Sequence, residues 1–192
     1  MMCIKMSIKK VVVAGGGVLG SQIALQTAYC GFDVTIWLRS EGSIERAKPK
    51  LERFKNIYID TLESMKTDES AYCRGLASKS DLSDEKLDEL KQKAQDAYDS
   101  LTLTTSYEEA AKDADLIIEA IAEDPKQKIA FYTELGKYMD EKTILVTKNH
   151  NIIRLFLKFY ILSLFSYSLI NTSKISIISI SFFPVSFFCL SI

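Results

Sequence analysis

Histidine is almost absent from this 192-residue chain. His150 is the single one, and no Asp or Glu follows Glu141. No downstream acid can therefore orient it as a general base. A lone histidine at the boundary between two chemically different segments reads as incidental, and no residue is assigned a catalytic role. Cysteine is also sparse. Cys3, Cys30, Cys73 and Cys189 are scattered without a Cys-x-x-Cys pair, which speaks against a disulfide framework or a zinc site and suits a reducing, cytoplasmic setting. The formal net charge is −1 and no basic block stands out, which gives no case for a nucleic-acid partner. The stretch Met1-Met2-Cys3-Ile4-Lys5 has no signal-peptide core, and Met6 is an equally good start.

The C-terminal stretch lacks still more. From Asn149 to Ile192 there is no Asp, Glu, Gly, Ala, Met or Trp, and Arg154, Lys158 and Lys174 are the only formal charges. Removing those three from the chain's 24 basic residues leaves 21 against 25 acidic ones before it, so the first part is mildly acidic. Residues 1–148 are expected to form one domain and 149–192 an apolar tail. The tail has three readings. It could span or contact a membrane: Ile152–Ile170 is long enough, although Arg154 and Lys158 interrupt it, and Ile175–Ile192 is uncharged. Ile175 to Ser181 partly alternates, as a β-rich continuation would. A frameshift or read-through of AT-rich sequence would explain the missing alanine and glycine together.

What is present begins with a glycine turn. Ile8 to Ala14 is a β-branched run suited to a buried parallel strand, and Gly15, Gly17 and Gly20 follow as Gly-x-Gly-x-x-Gly. Gly15 allows a tight turn, Gly17 lets backbone approach a pyrophosphate, and Gly20 lets helix and strand pack closely. Beyond it, Leu19, Ile23, Leu25, Ala28 and Tyr29 recur at helical spacing until Gly31. The opening of that helix, with Val18 and Leu19, offers free N–H groups and a positive dipole end to phosphates.

Alternation of strand and helix continues. Asp33 to Leu38 reads as a second strand. Ile44, Ala47, Leu51, Phe54, Tyr58, Leu62 and Met65 keep a helical period past Pro49, which either sits in an early turn or kinks the helix. A second amphipathic helix begins near Ser83, with Leu87, Leu90, Ala94 and Ala97 on one face. Leu101–Thr104 is a short third strand, and Ser106 with Glu109 makes a capping box. Leu116–Ala120 is a central fourth strand. Asp124, Pro125 and Gln127 then stand as N-cap, N1 and N3 of a helix whose apolar face is Ile129, Tyr132, Leu135, Tyr138 and Met139. Thr143–Val146 is the fifth strand. The pattern predicts an α/β, Rossmann-like, doubly wound parallel sheet with a helical excursion between strands 2 and 3. Its dinucleotide crevice lies at the carboxyl ends of the strands.

Ile8 to Ala24, Asp113-Ala114-Asp115-Leu116-Ile117-Ile118-Glu119-Ala120, Thr143 to Thr147 and the helical excursion together resemble the NAD-binding domain of 3-hydroxyacyl-CoA dehydrogenases over residues 6–148. The resemblance implies hydride transfer between a nicotinamide dinucleotide and C3 of a 3-hydroxyacyl or 3-oxoacyl-CoA. It also implies that Ala120, Glu123 and Lys128, at and after the fourth strand, lie beside the cofactor. From the residues alone, Glu123 is a loop acid and Lys128 a solvated helix residue.

Two departures qualify the resemblance. The family's second strand usually ends in an acid that binds the adenosine ribose, whereas this chain has Leu38, then Arg39 and Ser40. Leucine cannot accept the ribose hydroxyls, while Arg39 and Ser40 suit a 2′-phosphate. NADP is thus favoured locally and NAD by the family; alternatively, Arg39 stacks on adenine or faces solvent. Secondly, the family continues past the fifth strand with a catalytic His–Glu pair and a helical domain that completes the acyl site and usually the dimer. Here Thr147 is followed by Lys148-Asn149-His150, and His150 comes too early to be that base. The expectation is the cofactor-binding portion of such an oxidoreductase, truncated before its base and substrate domain, and dimeric only with that domain. A related hydroxy-acid or sugar-acid dehydrogenase, or a non-catalytic nucleotide-binding module tethered to a membrane by its tail, are the alternatives.

Overall fold

A computed structural model describes residues 8–147 and the strand at 177–179. The element order is β1 (Lys10–Ala14), α1 (Val18–Tyr29), β2 (Asp33–Trp37), α2 (Glu41–Ser64), α3 (Asp84–Asp99), β3 (Thr102–Thr104), α4 (Tyr107–Ala111), β4 (Leu116–Glu119), α5 (Pro125–Leu135), β5 (Ile144–Thr147) and β6 (Ile177–Ser179). The strands form one sheet in the order β3-β2-β1-β4-β5-β6, with every pair parallel. The strand order reverses between β1 and β4, which opens a crevice at their carboxyl ends. β6 extends the edge beyond β5, with Leu145 opposite Ile177 and Thr147 opposite Ser179; it falls inside the alternating stretch Ile175 to Ser181. The candidate membrane stretch Ile152–Ile170 lies outside the described residues, among which no helix is long and apolar enough to cross a membrane.

The near-continuous apolar strands are explained by cover on both faces. Val11 and Val13 join Val34, Ile36, Ala24, Leu25, Leu51 and Leu87 on the side of α1, α2 and α3. Val12 and Ala14 point the other way, to Trp37, Ile117, Phe131, Leu135 and Leu145. The excursion is a long helical hairpin of α2 and α3, joined through a 3-10 turn at Glu69–Ala71. α2 runs on through Pro49 in its third turn, well beyond an early turn, and buries Ile44, Ala47, Leu51, Leu62 and Met65. Ser83 caps α3, accepting from the Lys86 N–H, and Leu87, Ala94 and Ala97 are buried as the spacing predicts. The hairpin is tied to α1 by polar contacts as well as apolar ones. The Tyr29 hydroxyl donates to the Leu76 carbonyl at 2.8 Å, and the Tyr58 hydroxyl donates to Gln26 Oε1 at 2.6 Å.

Two helix readings need correction. The Ser106–Glu109 capping box is only half formed: Ser106 Oγ accepts from the Glu109 N–H, but the Glu109 carboxylate takes the Thr104 hydroxyl instead of returning to Ser106. The second correction concerns α5. Asp124 and Pro125 occupy the N-cap and N1 positions as expected. The helix then buries Lys128, Phe131 and Leu135, while Ile129 and Tyr138 stand 46% and 41% exposed. Leu135 is buried and Tyr132 and Met139 pack against the core as expected. Lys128 and Phe131, however, turn inward where Ile129 was expected, and Tyr138 and Met139 lie beyond the helix end.

Candidate dinucleotide site

The site is a cleft of about 650 Å³ at the carboxyl ends of β1, β2 and β4, floored by Gly15–Gly20 and walled by Trp37, Leu38 and Ala120–Ala122. Backbone bonds from the sheet fix the glycine turn. The Gly15 N–H donates to the Trp37 carbonyl at 2.9 Å, and the Ala120 N–H to the Ala14 carbonyl at 2.8 Å. Gly15 has φ +123, and a Cβ there would lie 2.6 Å from the Ala120 carbonyl oxygen. A Cβ on Gly20 would lie 2.0 Å from the Gly15 carbonyl oxygen. Both positions exclude a side chain. At Gly17 a Cβ would meet nothing within 4 Å, so the backbone there faces open space.

Gly17 is also the N-cap of α1, and no side chain caps that helix or places an acid in its first turn. The first-turn N–H groups of Val18, Leu19 and Gly20 have no intrahelical acceptor. Val18 and Leu19 stand 61% and 41% exposed over the cleft. An open backbone, an uncapped helix N-terminus and no nearby carboxylate in that turn fit the pyrophosphate of a dinucleotide.

Gly16, which the sequence reading left without a role, lies where Leu38 fills the floor: a Cβ there would be 2.5 Å from Leu38 Cδ2 and 2.9 Å from Ala47 Cβ. Leu38 is buried and its N–H donates to the Thr104 carbonyl at 2.8 Å. Arg39 lines the cleft, and its Nη1 donates to Gln127 Oε1 at 2.8 Å. Ser40 is the N-cap of α2 but makes no capping bond; its Oγ lies 3.0 Å from Ser43 Oγ. Asp124 accepts from the Gln127 side chain and the Lys126 N–H, which hold its carboxyl below the ordinary range, with a further contribution from the Arg39 charge.

The residues after β4 divide. Ala120 and Ile121 line the cleft, whereas Glu123 is an exposed residue of the β4–α5 loop. Lys128 is buried one turn into α5, with its Nζ 3.0 Å from Glu119 Oε2. Glu119 is fully buried and is the centre of a polar cluster. Its Oε2 also accepts from the Tyr132 hydroxyl at 3.0 Å and the Thr147 hydroxyl at 2.7 Å. Its Oε1 accepts from the Ile121 N–H at 2.8 Å, which pins the peptide that abuts Gly15. Burial, and then the Glu119 charge, push the Tyr132 hydroxyl well above its ordinary pKa, so it remains a proton donor at neutral pH.

Sequence reasoning missed several cleft residues. Ser43, Arg46 and Lys50 reach it from α2, and Tyr107 and Phe131 complete its aromatic wall. The Trp37 ring centroid lies 4.5 Å from that of Tyr107 and 5.0 Å from that of Phe131. The Trp37 Nε1 is buried without a hydrogen-bond partner among the described residues. Ser43, Arg46 and Lys50 follow Ser40 at helical spacing, so the signal was present but had no partner in the linear sequence. His150 lies outside the described residues.

The parallel sheet, its strand order and the glycine cradle define a dinucleotide-binding domain of Rossmann type. The profile of the family described as 3-hydroxyacyl-CoA dehydrogenase, NAD binding domain, matches residues 10–153, and the chain belongs to that family. It is 29% identical over 143 residues to a 3-hydroxybutyryl-CoA dehydrogenase of Clostridioides difficile, covering 74% of this chain and 42% of that protein. Among solved structures it is similar to a diketoreductase, with TM-score 0.58 and 32% identity over 75% of this chain and 42% of that one. It is also similar to FadB2 of M. tuberculosis, with TM-score 0.52 and 25% identity over 75% and 42% of the two chains. The chain spans about two fifths of the length of the curated relatives it matches. Family membership carries use of NAD(H) with it.

Proposed function

We propose that residues 1–148 are the cofactor half of an oxidoreductase that acts at C3 of an acyl-CoA, and that this half favours the phosphorylated dinucleotide. The observation that carries the reading is the glycine cradle, with two positions closed to any side chain and Gly17 open beneath an uncapped helix N-terminus. A bound nicotinamide supplies hydride donation or acceptance at C3. The protein's part is to seat the pyrophosphate on the backbone of Gly17 to Gly20 and the adenosine against Leu38 and Trp37. Family membership supports the acyl thioester as substrate class, and the exposed and half-buried free thiols of Cys30 and Cys73 support a reducing, cytoplasmic setting. The preference for NADP(H) is supported by Leu38, which leaves the ribose without an acidic acceptor, and by cations around the adenosine end of the cleft. A base with an orienting acid is needed to move the hydroxyl proton. His150 is the chain's single histidine, and no Asp or Glu follows Glu141 to orient it. The chain as written is therefore expected to bind cofactor without reducing acetoacetyl-CoA.

Trp37 is the only tryptophan of the chain, and it lines the cleft. Titrating the full chain with NADPH and with NADH, while following tryptophan quenching and energy transfer to the reduced nicotinamide, therefore reads binding directly. Saturable binding with NADPH the tighter ligand is expected. Failure to bind either would overturn the cofactor reading, equal or tighter NADH binding the preference, and detectable acetoacetyl-CoA reduction the expected lack of turnover.

A further inference from the structure

The adenosine end of the cleft carries three cations, Arg39, Arg46 and Lys50, and none of them is ion-paired among the described residues. Their commitments differ. Lys50 Nζ donates to the Gly16 carbonyl at 3.2 Å and so braces the glycine turn. Arg39 is drawn to the α5 side: its Nη1 donates to Gln127 Oε1, while Gln127 Nε2 donates to Asp124 Oδ2 at 2.8 Å. Arg46 stays on α2. Its Nη2 donates to Ser43 Oγ at 3.0 Å, Ser43 Oγ meets Ser40 Oγ at 3.0 Å, and its Nη1 lies 3.5 Å from where a Cβ of Gly42 would stand. The guanidinium therefore curls back over the first turn of α2, beside two hydroxyls.

The neighbouring acids are engaged elsewhere. Glu41 Oε1 accepts from the Thr105 hydroxyl at 3.3 Å, Glu45 pairs with Lys48 at 3.1 Å, and Leu38 puts a hydrocarbon where a carboxylate would repel an anion. A phosphate monoester near neutral pH presents close to two negative charges and three strong acceptor oxygens. An arginine fork beside two rotatable hydroxyls complements it.

We propose that Arg46, with Ser40 and Ser43, reads the 2′-phosphate of the adenosine ribose. Arg39 does not read it; it latches the end of β2 to α5 through Gln127 and forms the rim of the cleft for either dinucleotide. This rests on the cofactor reading above and gives the charge recognition to Arg46 on α2 while keeping Ser40, whereas the sequence placed it on Arg39 with Ser40.

The test compares R46M, R46K and R39M in the full chain by the same tryptophan titration, with adenosine 2′,5′-bisphosphate and ADP as competing probes. A charge-assisted bond of this kind corresponds to roughly ten- to hundredfold in affinity. R46M is expected to lower the ratio of NADPH to NADH affinity by about that factor and to erase the advantage of the bisphosphate over ADP. R46K is expected to recover part of both. R39M is expected to weaken both dinucleotides together and leave the ratio within about twofold. A ratio that collapses in R39M and survives in R46M would overturn the assignment, as would an R46M ratio equal to that of the unaltered chain. If the unaltered chain binds neither dinucleotide, the cofactor reading itself falls, an outcome distinct from either.

Discussion

Removing the ammonium of Lys128 should unfold the protein more readily without first disturbing the ligand. Glu119 is fully buried and Lys128 is 4% exposed, and Lys128 is the one cation paired with that carboxylate among the described residues. In K128M the anion keeps the Ile121 N–H and the two hydroxyls but loses its countercharge. Breaking a buried pair from one side costs about 3–5 kcal/mol, against a typical total of roughly 5–15 kcal/mol. With a urea slope of about 1–3 kcal/mol/M, the midpoint should fall by at least ~1 M. E119Q should cost a similar amount, because it strands Lys128. The double variant E119Q/K128M buries no charge, so its loss should fall well short of the sum of the singles, and that coupling is the signature of the pair. The assay is urea unfolding of the full chain followed by Trp37 emission, paired with the dinucleotide titration. A K128M stability within about 1 kcal/mol of the unaltered chain, with dinucleotide affinity lost, would refute the argument. It would return Lys128 to direct cofactor contact, as the family resemblance implies.

Four single-position variants give further outcomes. G17A adds a methyl into open space at φ −69, so its unfolding midpoint should stay within about 0.5 kcal/mol of the original while dinucleotide affinity falls; G20A, whose methyl would collide with the Gly15 carbonyl, should lose stability and binding together. S83A removes the acceptor for the Lys86 N–H at the start of α3 and should cost about 1 kcal/mol in urea unfolding, with no effect on affinity. Asp115 Oδ2 accepts from the Lys10 and Lys9 N–H groups at 3.0 and 2.9 Å, and these bonds hold its carboxyl below the ordinary range. Its folded pKa lies below the unfolded value of about 3.9, so the stabilisation is present above that pH and is lost as pH falls through the folded pKa. Unfolding curves of the original chain and D115N should therefore differ at pH 7 and converge as the pH drops well below 4; a constant gap would contradict the assignment.

The sheet was legible because its strands are short, largely β-branched and separated by helices of clear period, and because burial on both faces makes β1, β2, β4 and β5 mostly apolar. Ser106 and Asp124 were legible as caps for a local reason: a capping side chain acts on backbone two or three residues away. Misreadings arose where a distant residue intervened. Ile129 looked like a core residue, but it is Lys128 that turns inward, onto Glu119 nine positions before it on β4, with Phe131 beside it. Glu109 looked like the second half of a capping box, but Thr104 offers its carboxylate a hydroxyl first. In the cleft, the glycine positions were legible as a local motif, and Arg39 and Ser40 as residues that follow a strand. Arg46 and Ser43 were not, because only the packing of α2 against α1 turns them toward the same cleft.

The cradle's shape is set from outside the glycine turn. Gly15 can hold φ +123 against the Ala120 carbonyl only while the peptide between Ala120 and Ile121 keeps its orientation, and that peptide's N–H is held by Glu119. The same carboxylate binds Thr147 at the end of β5, so one buried side chain joins the ends of β4 and β5 to the turn after β1. Leu38 acts from the other side, filling the space under Gly16. A substitution that keeps Leu38's volume but adds charge, such as L38E, places a carboxylate against Gly16 in a position that is 3% exposed. It should lower stability by desolvation as well as restore an acceptor for a ribose hydroxyl. An acid at the end of this second strand is thus compatible with the cleft only if the floor beneath Gly16 is repacked. If the proposed NADP(H) reading holds, the leucine and the α2 cations act together, and L38E alone is expected to lose stability without converting the cleft to NADH preference.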